Sequence, residues 1–190
     1  MIVMKNLTKT FPNGITAVNS LSLHIAKGET VGLIGANGAG KSTTVKMLSG
    51  ILWPDSGEIT VAGYIPHKQR KEYVANIGVV FGQKSQISWD LSPLDSYEVI
   101  KHIYKIPEKK YKENLERFTE LLDMSKFINQ PVRQFSLGQR MRADIAAALL
   151  HSPKIVFFDE PTIGIDVVGK DKIRKFIKTL NQTKNIHNYF

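Results

Sequence analysis

An α/β fold is predicted for this 190-residue chain, and three observations predict it. Short apolar runs of strand length alternate with helical patterns. One such run, Thr30-Val31-Gly32-Leu33-Ile34, leads into a glycine-rich loop that opens a helix. Another, Ile155-Val156-Phe157-Phe158, ends in the carboxylate pair Asp159-Glu160.

The elements follow in order. Ile2 to Leu7 reads as a strand, Pro12-Asn13-Gly14 as a turn, and Ala17-Val18 with Leu21 to Ile25 as further strand with alternation. Lys27-Gly28-Glu29 turns the chain into Thr30 to Ile34, expected to be a buried parallel strand. Thr44 to Gly50 reads as a helix closed by a C-terminal glycine. After the turn Pro54-Asp55-Ser56-Gly57 come a strand over Glu58 to Tyr64 and a third buried-type run, Ile77 to Phe81. From about residue 93 to 150 the pattern becomes helical. Leu94, Val99, Ile103, Leu115, Phe118, Leu121 and Leu122 recur at helical spacing among charges, and Pro107 and Pro131 punctuate the stretch. It is expected to be a helical insertion between two strands of the core. Ala143 to Leu150 is an alanine-rich helix, Lys154 to Glu160 returns to strand, and Val167 to Leu180 is a last helix.

Composition sets outer bounds. At 42% apolar residues the chain can build one full domain with a real core. Net charge is +9 and the pI near 9.6, which suits nucleic acid, an anionic surface or a bound phosphate. The basic clusters at Lys68-Gln69-Arg70-Lys71 and Lys109-Lys110-Tyr111-Lys112 lack an aromatic-interleaved stripe, so no direct nucleic-acid contact is expected. There are no cysteines, which excludes disulfides and thiolate metal sites. No signal peptide and no run long enough to cross a bilayer is visible, so a soluble chain is expected, with any membrane role carried by a partner.

Residues Gly35-Ala36-Asn37-Gly38-Ala39-Gly40-Lys41-Ser42-Thr43 fit the P-loop pattern G-x-x-x-x-G-K-[ST] and predict nucleoside triphosphate binding. Glycines let the backbone turn tightly and leave nothing between its N–H groups and the phosphates. The following helix points its positive dipole end at the anion. Lys41 reaches the β- and γ-phosphates as a point charge, and the Ser42 hydroxyl is placed for Mg²⁺. Downstream, Asp159 and Glu160 at the end of an apolar strand form a Walker B arrangement. The first carboxylate holds Mg²⁺ or its water, and the second polarises an attacking water. Ser136-Leu137-Gly138-Gln139 precedes the alanine-rich helix. The Ser136 hydroxyl, the Gly138 N–H and the helix dipole could make a second anion site, although capping alone fits an ordinary helix start equally well.

Together these motifs resemble the nucleotide-binding domain of ATP-binding cassette (ABC) ATPases over roughly residues 1–182. Phe135-Ser136-Leu137-Gly138-Gln139-Arg140 looks like the family signature, with Leu137 in place of its first glycine. Gln83 matches the Q-loop, Gly164-Ile165-Asp166 after Glu160-Pro161-Thr162 resembles the D-loop, and Phe11 stands where the adenine-stacking aromatic belongs. The resemblance implies a P-loop NTPase core with an N-terminal antiparallel β subdomain and a helical insertion at roughly residues 92–150. It implies two cassettes pairing head to tail around two ATP molecules. Each ATP would touch Phe11, Gly35, Asn37, Gly38, Gly40, Lys41, Ser42 and Thr43 of one, and Ser136, Gly138 and Gln139 of the other. Glu160 would be the catalytic base, with Gln83 sensing Mg²⁺ or water and linking to a membrane permease. Ser42, Gln83 and Asp159 would face the metal, and Asp166 would couple the two sites. The stretches Gln83-Lys84-Ser85-Gln86, Trp89-Asp90-Leu91 and Ser136 to Asp144 look like bacterial ABC-2-type exporter ATPases. They imply an efflux role at the cytoplasmic face of the membrane, through a separate permease.

One departure stands out. The family has a further strand after the D-loop helix, ending in a switch histidine, whereas residues 181–190 form a short polar run with no apolar stretch before His187. His187 is therefore read as a tail residue, the last core strand is expected to be missing, and a truncated gene product is expected. Two alternatives to an export ATPase follow: a nucleotide-binding remnant without turnover, and a soluble ABC protein of translation or DNA repair.

Overall fold

Apolar alternation in the N-terminal third builds the first sheet. The computed structural model describes residues 1–82, 84–182 and 187–189. Strand β1 (Ile2–Thr10) pairs antiparallel with both β2 (Thr16–Ile25) and β3 (Ser56–Val61), giving the order β2-β1-β3. Ile2 and Met4 face the core with period two. The register then shifts, Asn6 takes a left-handed φ of 48°, and the next buried residue is Leu7. The irregularity resets which side chains face inward.

Helix α1 (Lys41–Leu48) buries Val45, Met47 and Leu48 beneath this sheet. It ends as the sequence predicts. Gly50 has φ 73° and donates its N–H to the Met47 carbonyl, and a Cβ there would lie 2.7 Å from the Pro66 oxygen. A five-residue helix absent from the sequence reading, α2 (Arg70–Val74), holds Tyr73, whose buried hydroxyl donates to the Leu48 carbonyl at 2.5 Å.

The second sheet is parallel. Strand β5 (Ile155–Asp159) lies between β4 (Ile77–Phe81) and β6 (His187–Tyr189). The expectation that no strand follows the last helix is corrected here, because His187, Asn188 and Tyr189 pair with Ile155, Val156 and Phe157. Ladder pairing, rather than an apolar run, makes this strand, so hydrophobic pattern could not reveal it. Thr30 to Ile34 also differs from expectation. Only Val31 bridges, and Ile34 is 99% exposed. Val31 and Leu33 still pack against the core from one side, which gives the run its apolar character without a ladder.

The stretch read as helical contains α3 (Pro93–Ile103), α4 (Glu108–Leu121), a short 3-10 turn at Val132–Gln134 and α5 (Leu137–Leu149); α6 (Val167–Gln182) follows β5. Ser92 and Asp95 make a reciprocal capping box at the start of α3. Pro107 caps α4, and its fixed φ suits that place. Two apolar cores result. Ile155 and Phe157 of β5 join α1 and the first sheet, while Val156 and Phe158 join α5, α6 and the other helices.

Candidate nucleotide-binding site

Helix α1 starts without a side-chain cap. Its N-cap is Gly40, at φ 81°, and no acidic residue occupies its first turn. Any side chain at Gly40 would collide with the wall of the site, since a Cβ would sit 2.1 Å from the Ala17 carbonyl oxygen. The first-turn N–H groups of α1 are therefore open to an anion, with the helix dipole behind them. Lys41 folds back over the loop, donating from Nζ to the carbonyls of Gly35 at 2.9 Å and Ala36 at 2.8 Å. This holds the ammonium at the mouth of the loop.

A cleft of about 550 Å³ opens above the loop. Phe11, Asn37, Gly38, Gly40, Lys41, Ser42 and Thr43, expected from the sequence at the nucleotide, and Glu160, expected as the catalytic base, all line it. Gly35, also expected at the nucleotide, does not line the cleft; its carbonyl accepts from Lys41. Asn13, Ile15, Ala17 and Ile163 line it too and were not foreseen. The first three come from the turn and strand after β1, and only the folding of β2 across the P-loop brings them there.

Ser42 Oγ donates to Asp159 Oδ1 at 2.8 Å, joining the P-loop helix to the end of β5 across 117 residues of sequence. Among the described residues no group of three or more His, Cys, Asp or Glu side chains could hold a metal unaided. A hydroxyl, one carboxylate and phosphate oxygens are the donor set that suits Mg²⁺, which keeps several waters and takes few protein ligands. The residues present therefore fit that ion. Glu160 adopts φ 54° just beyond the strand, an unusual backbone for a non-glycine residue. Gly82 lies against it, donating its N–H to the Asp159 carbonyl at 2.9 Å; a Cβ on Gly82 would be 2.3 Å from the Glu160 oxygen. Gln83, the next residue, lies outside the described residues.

The remaining predicted residues gather elsewhere. Ser136, Gly138, Gln139 and Asp166 line a second cleft of about 370 Å³, together with Arg142, Val168, Gly169 and Lys172. Ser136 Oγ accepts from the Gln139 N–H at 3.2 Å, and Gln139 Oε1 accepts from the Ser136 N–H at 2.8 Å. Ser136 is thus a helix cap that stands at the rim of a cleft. Asp166 Oδ1 accepts the Gly169 N–H at 3.3 Å at the start of α6. Arg142 and Lys172 bring positive charge, with Asp123 between them: its carboxylate is 3.5 Å from Arg142 and 2.5 Å from Lys172. Those two cations hold the Asp123 carboxyl below its ordinary range, the Lys172 hydrogen bond most of all. Leu137, the departure from the signature pattern, is half-buried against the helical core, and a Cβ on Gly164 would meet its Cδ2 at 2.8 Å.

A glycine loop on an uncapped helix, a serine paired with a strand-end aspartate and a second capped helix start define a P-loop ATPase of the cassette type. The chain belongs to the ABC transporter family, whose sequence pattern matches residues 18–163. It is 35% identical over 185 residues to the ABC transporter ATP-binding protein NatA of Bacillus subtilis (strain 168), covering 96% of this chain and 75% of NatA. It is 34% identical to the linearmycin resistance ATP-binding protein LnrL of the same organism, covering 96% of this chain and 58% of LnrL. Among solved structures, cbiO1 of Clostridium perfringens, part of the ABC transporter complex cbiONQ, matches with a TM-score of 0.84 at 26% identity, covering 99% of this chain and 76% of that one. The ATP-binding cassette MJ0796, in a dimeric post-hydrolysis state bound to ADP and Pi, matches with a TM-score of 0.87 at 27% identity, covering 100% of this chain and 86% of that one. Against several curated relatives the chain spans under two thirds of their length. No helix among the described residues is long and apolar enough to cross a membrane.

Proposed function

We propose that the chain binds and hydrolyses ATP with Mg²⁺ and powers export through a separate membrane permease. The cleft above the P-loop carries this reading, because an uncapped helix start, Lys41 and the Ser42–Asp159 pair converge on one space large enough for a nucleotide. Phe11 stacks the base. Gly38, Gly40 and the N–H groups of α1 cradle the phosphates, with Asn37 and Thr43 at the rim, and Lys41 balances their charge. Ser42, Asp159 and Gln83 hold Mg²⁺, which neutralises charge on the phosphate oxygens when bound. Glu160 orients and deprotonates the attacking water. The proteins named for linearmycin and bacitracin support an export role, as does the cbiONQ complex for work beside partner subunits.

Two cassettes would close over two nucleotides, Ser136, Gly138 and Gln139 of one meeting the phosphates held by the other, with Asp166 between the sites. The separation of the two clefts on one chain supports that arrangement, as does the dimeric relative. The assembly would sit at the cytoplasmic face of the membrane through its permease. A second reading is nucleotide binding without turnover. Steady-state phosphate release from the purified chain with Mg·ATP separates the two. Release abolished by Glu160→Gln with binding retained supports hydrolysis. Tight Mg·ATP binding with no release supports the second reading.

A further inference from the structure

Helix α5 carries a buried carboxylate that the proposed ATPase chemistry leaves unused. Asp144 is 2% exposed and sits two turns into the helix that Ser136 caps. Two hydrogen bonds from the segment after Gln83 reach the same oxygen, and the Ile87 backbone N–H adds to them. The Gln86 N–H donates to Oδ1 at 2.7 Å and Ser85 Oγ donates to it at 2.9 Å. Arg140, one turn nearer the helix start, lies over the Trp89 ring with its guanidinium carbon 5.9 Å from the centroid. Helix α5 thus grips this segment at two points. The same segment is tied to β4 through Gln86 Nε2 and the Val79 carbonyl at 2.5 Å, and to α3 through the Ser88 N–H and Ser96 Oγ at 3.2 Å.

We propose that Asp144 is a positioning residue, locking the segment Ser85–Ser88 to the helix that begins at Ser136 so that the two move as one body. Burying a carboxylate in an apolar helix face is costly, and the bonds that Asp144 accepts from Ser85 and Gln86 offset that cost. Their result is mechanical coupling. The segment after Gln83 emerges from the end of β4, beside Asp159 and Glu160, while the start of α5 rims the second cleft. Asp144 is the side chain that bonds one to the other. The inference rests on the ATPase reading only for its effect on turnover; the coupling itself is measurable without hydrolysis.

The test compares Asp144→Asn, which keeps an accepting oxygen at the Oδ1 position, with Asp144→Leu, which keeps the branched shape at a larger volume and removes the bonds to Ser85 and Gln86. Amide hydrogen exchange on the full chain should show Gln86 exchanging roughly ten- to a hundredfold faster in the leucine variant, as expected on losing a bond to a charged acceptor. Addition of Mg·ATP should change exchange at residues 85–88 and 136–139 together in the parent and the asparagine variant, but independently in the leucine variant. Where the parent releases phosphate, the leucine variant should lose at least roughly tenfold in kcat with KM for Mg·ATP within about twofold, and asparagine should restore it. Unchanged exchange at Gln86, or joint responses persisting in the leucine variant, overturns the proposal. So does an asparagine variant as impaired as the leucine one. A parent that binds Mg·ATP without releasing phosphate defeats the hydrolysis reading alone.

Discussion

Two helix starts, those of α1 and α5, are built in opposite ways. At α1 the N-cap is a glycine with no side-chain bond, and the donors of the first turn are free. At α5 a serine and a glutamine close a capping box and use two N–H groups themselves. The first gathers the charge of Lys41 and the oxygens of the Ser42–Asp159 pair within one chain. The second keeps only part of its donors and has Arg142 and Lys172 partly occupied by Asp123. A self-capped helix start is stable without a ligand, and an uncapped one gains most when a ligand arrives.

The largest expected effect separates the two glycines. Gly40→Ala forces a side chain onto the Ala17 carbonyl in a left-handed backbone and should cost about 3–5 kcal/mol, read as a lower urea midpoint. Gly138→Ala meets nothing closer than 3.4 Å within a helix and should be neutral or slightly stabilising in the same titration. Next, Lys41→Ala should weaken Mg·ATP binding by at least roughly a hundredfold in calorimetry. Lys172→Ala should leave binding to the isolated chain within about twofold, because Lys172 lines the other cleft.

The α5 region also carries a titration signature. Burial pushes the Asp144 carboxyl up to about 6 and the His151 imidazole, just past the end of α5, down to about 4. Asp144 contributes stability below its unfolded value of 3.8, and this is lost as pH rises through about 6. His151 contributes stability above its unfolded value of 6.5, and this is lost as pH falls through about 4. The two slopes oppose each other across the same window, each on the order of 2–3 kcal/mol. The parent should therefore show a flat Tm between pH 4 and 6.5 from this pair. Asp144→Asn should unmask a fall in Tm on acidification, and His151→Phe, which retains stacking on Tyr104, a rise. The smallest effect is at the cap itself. Ser136→Ala should cost about 1 kcal/mol and Ser136→Gly a few tenths, measured by the same denaturation.

Much of this contrast is legible in sequence because it depends on local chemistry. The P-loop, the Asp159-Glu160 strand end and the Ser136–Gln139 spacing each encode a backbone requirement within a few residues. What was not legible depends on distant contacts. Asn13, Ile15 and Ala17 reach the nucleotide cleft only because β2 crosses the loop, and β6 exists only because β5 offers a ladder. Thr30 to Ile34 has the composition of a strand, but among the described residues of that run only Val31 bridges. Asp144 lay hidden in an alanine-rich run, where one acid reads as a surface residue until its helix face is known to be buried.

Strand β5 has two dry faces that belong to different cores, two side chains to each, so the strand itself is common property. Enlarging Phe157 would press on the helix behind the P-loop, and enlarging Phe158 would press on the helix behind Ser136. Either shift would be felt at Asp159, where the strand ends. The acidic tip is thus aimed by the agreement of two neighbourhoods, and drift in one must be matched by the other for the tip to keep its heading.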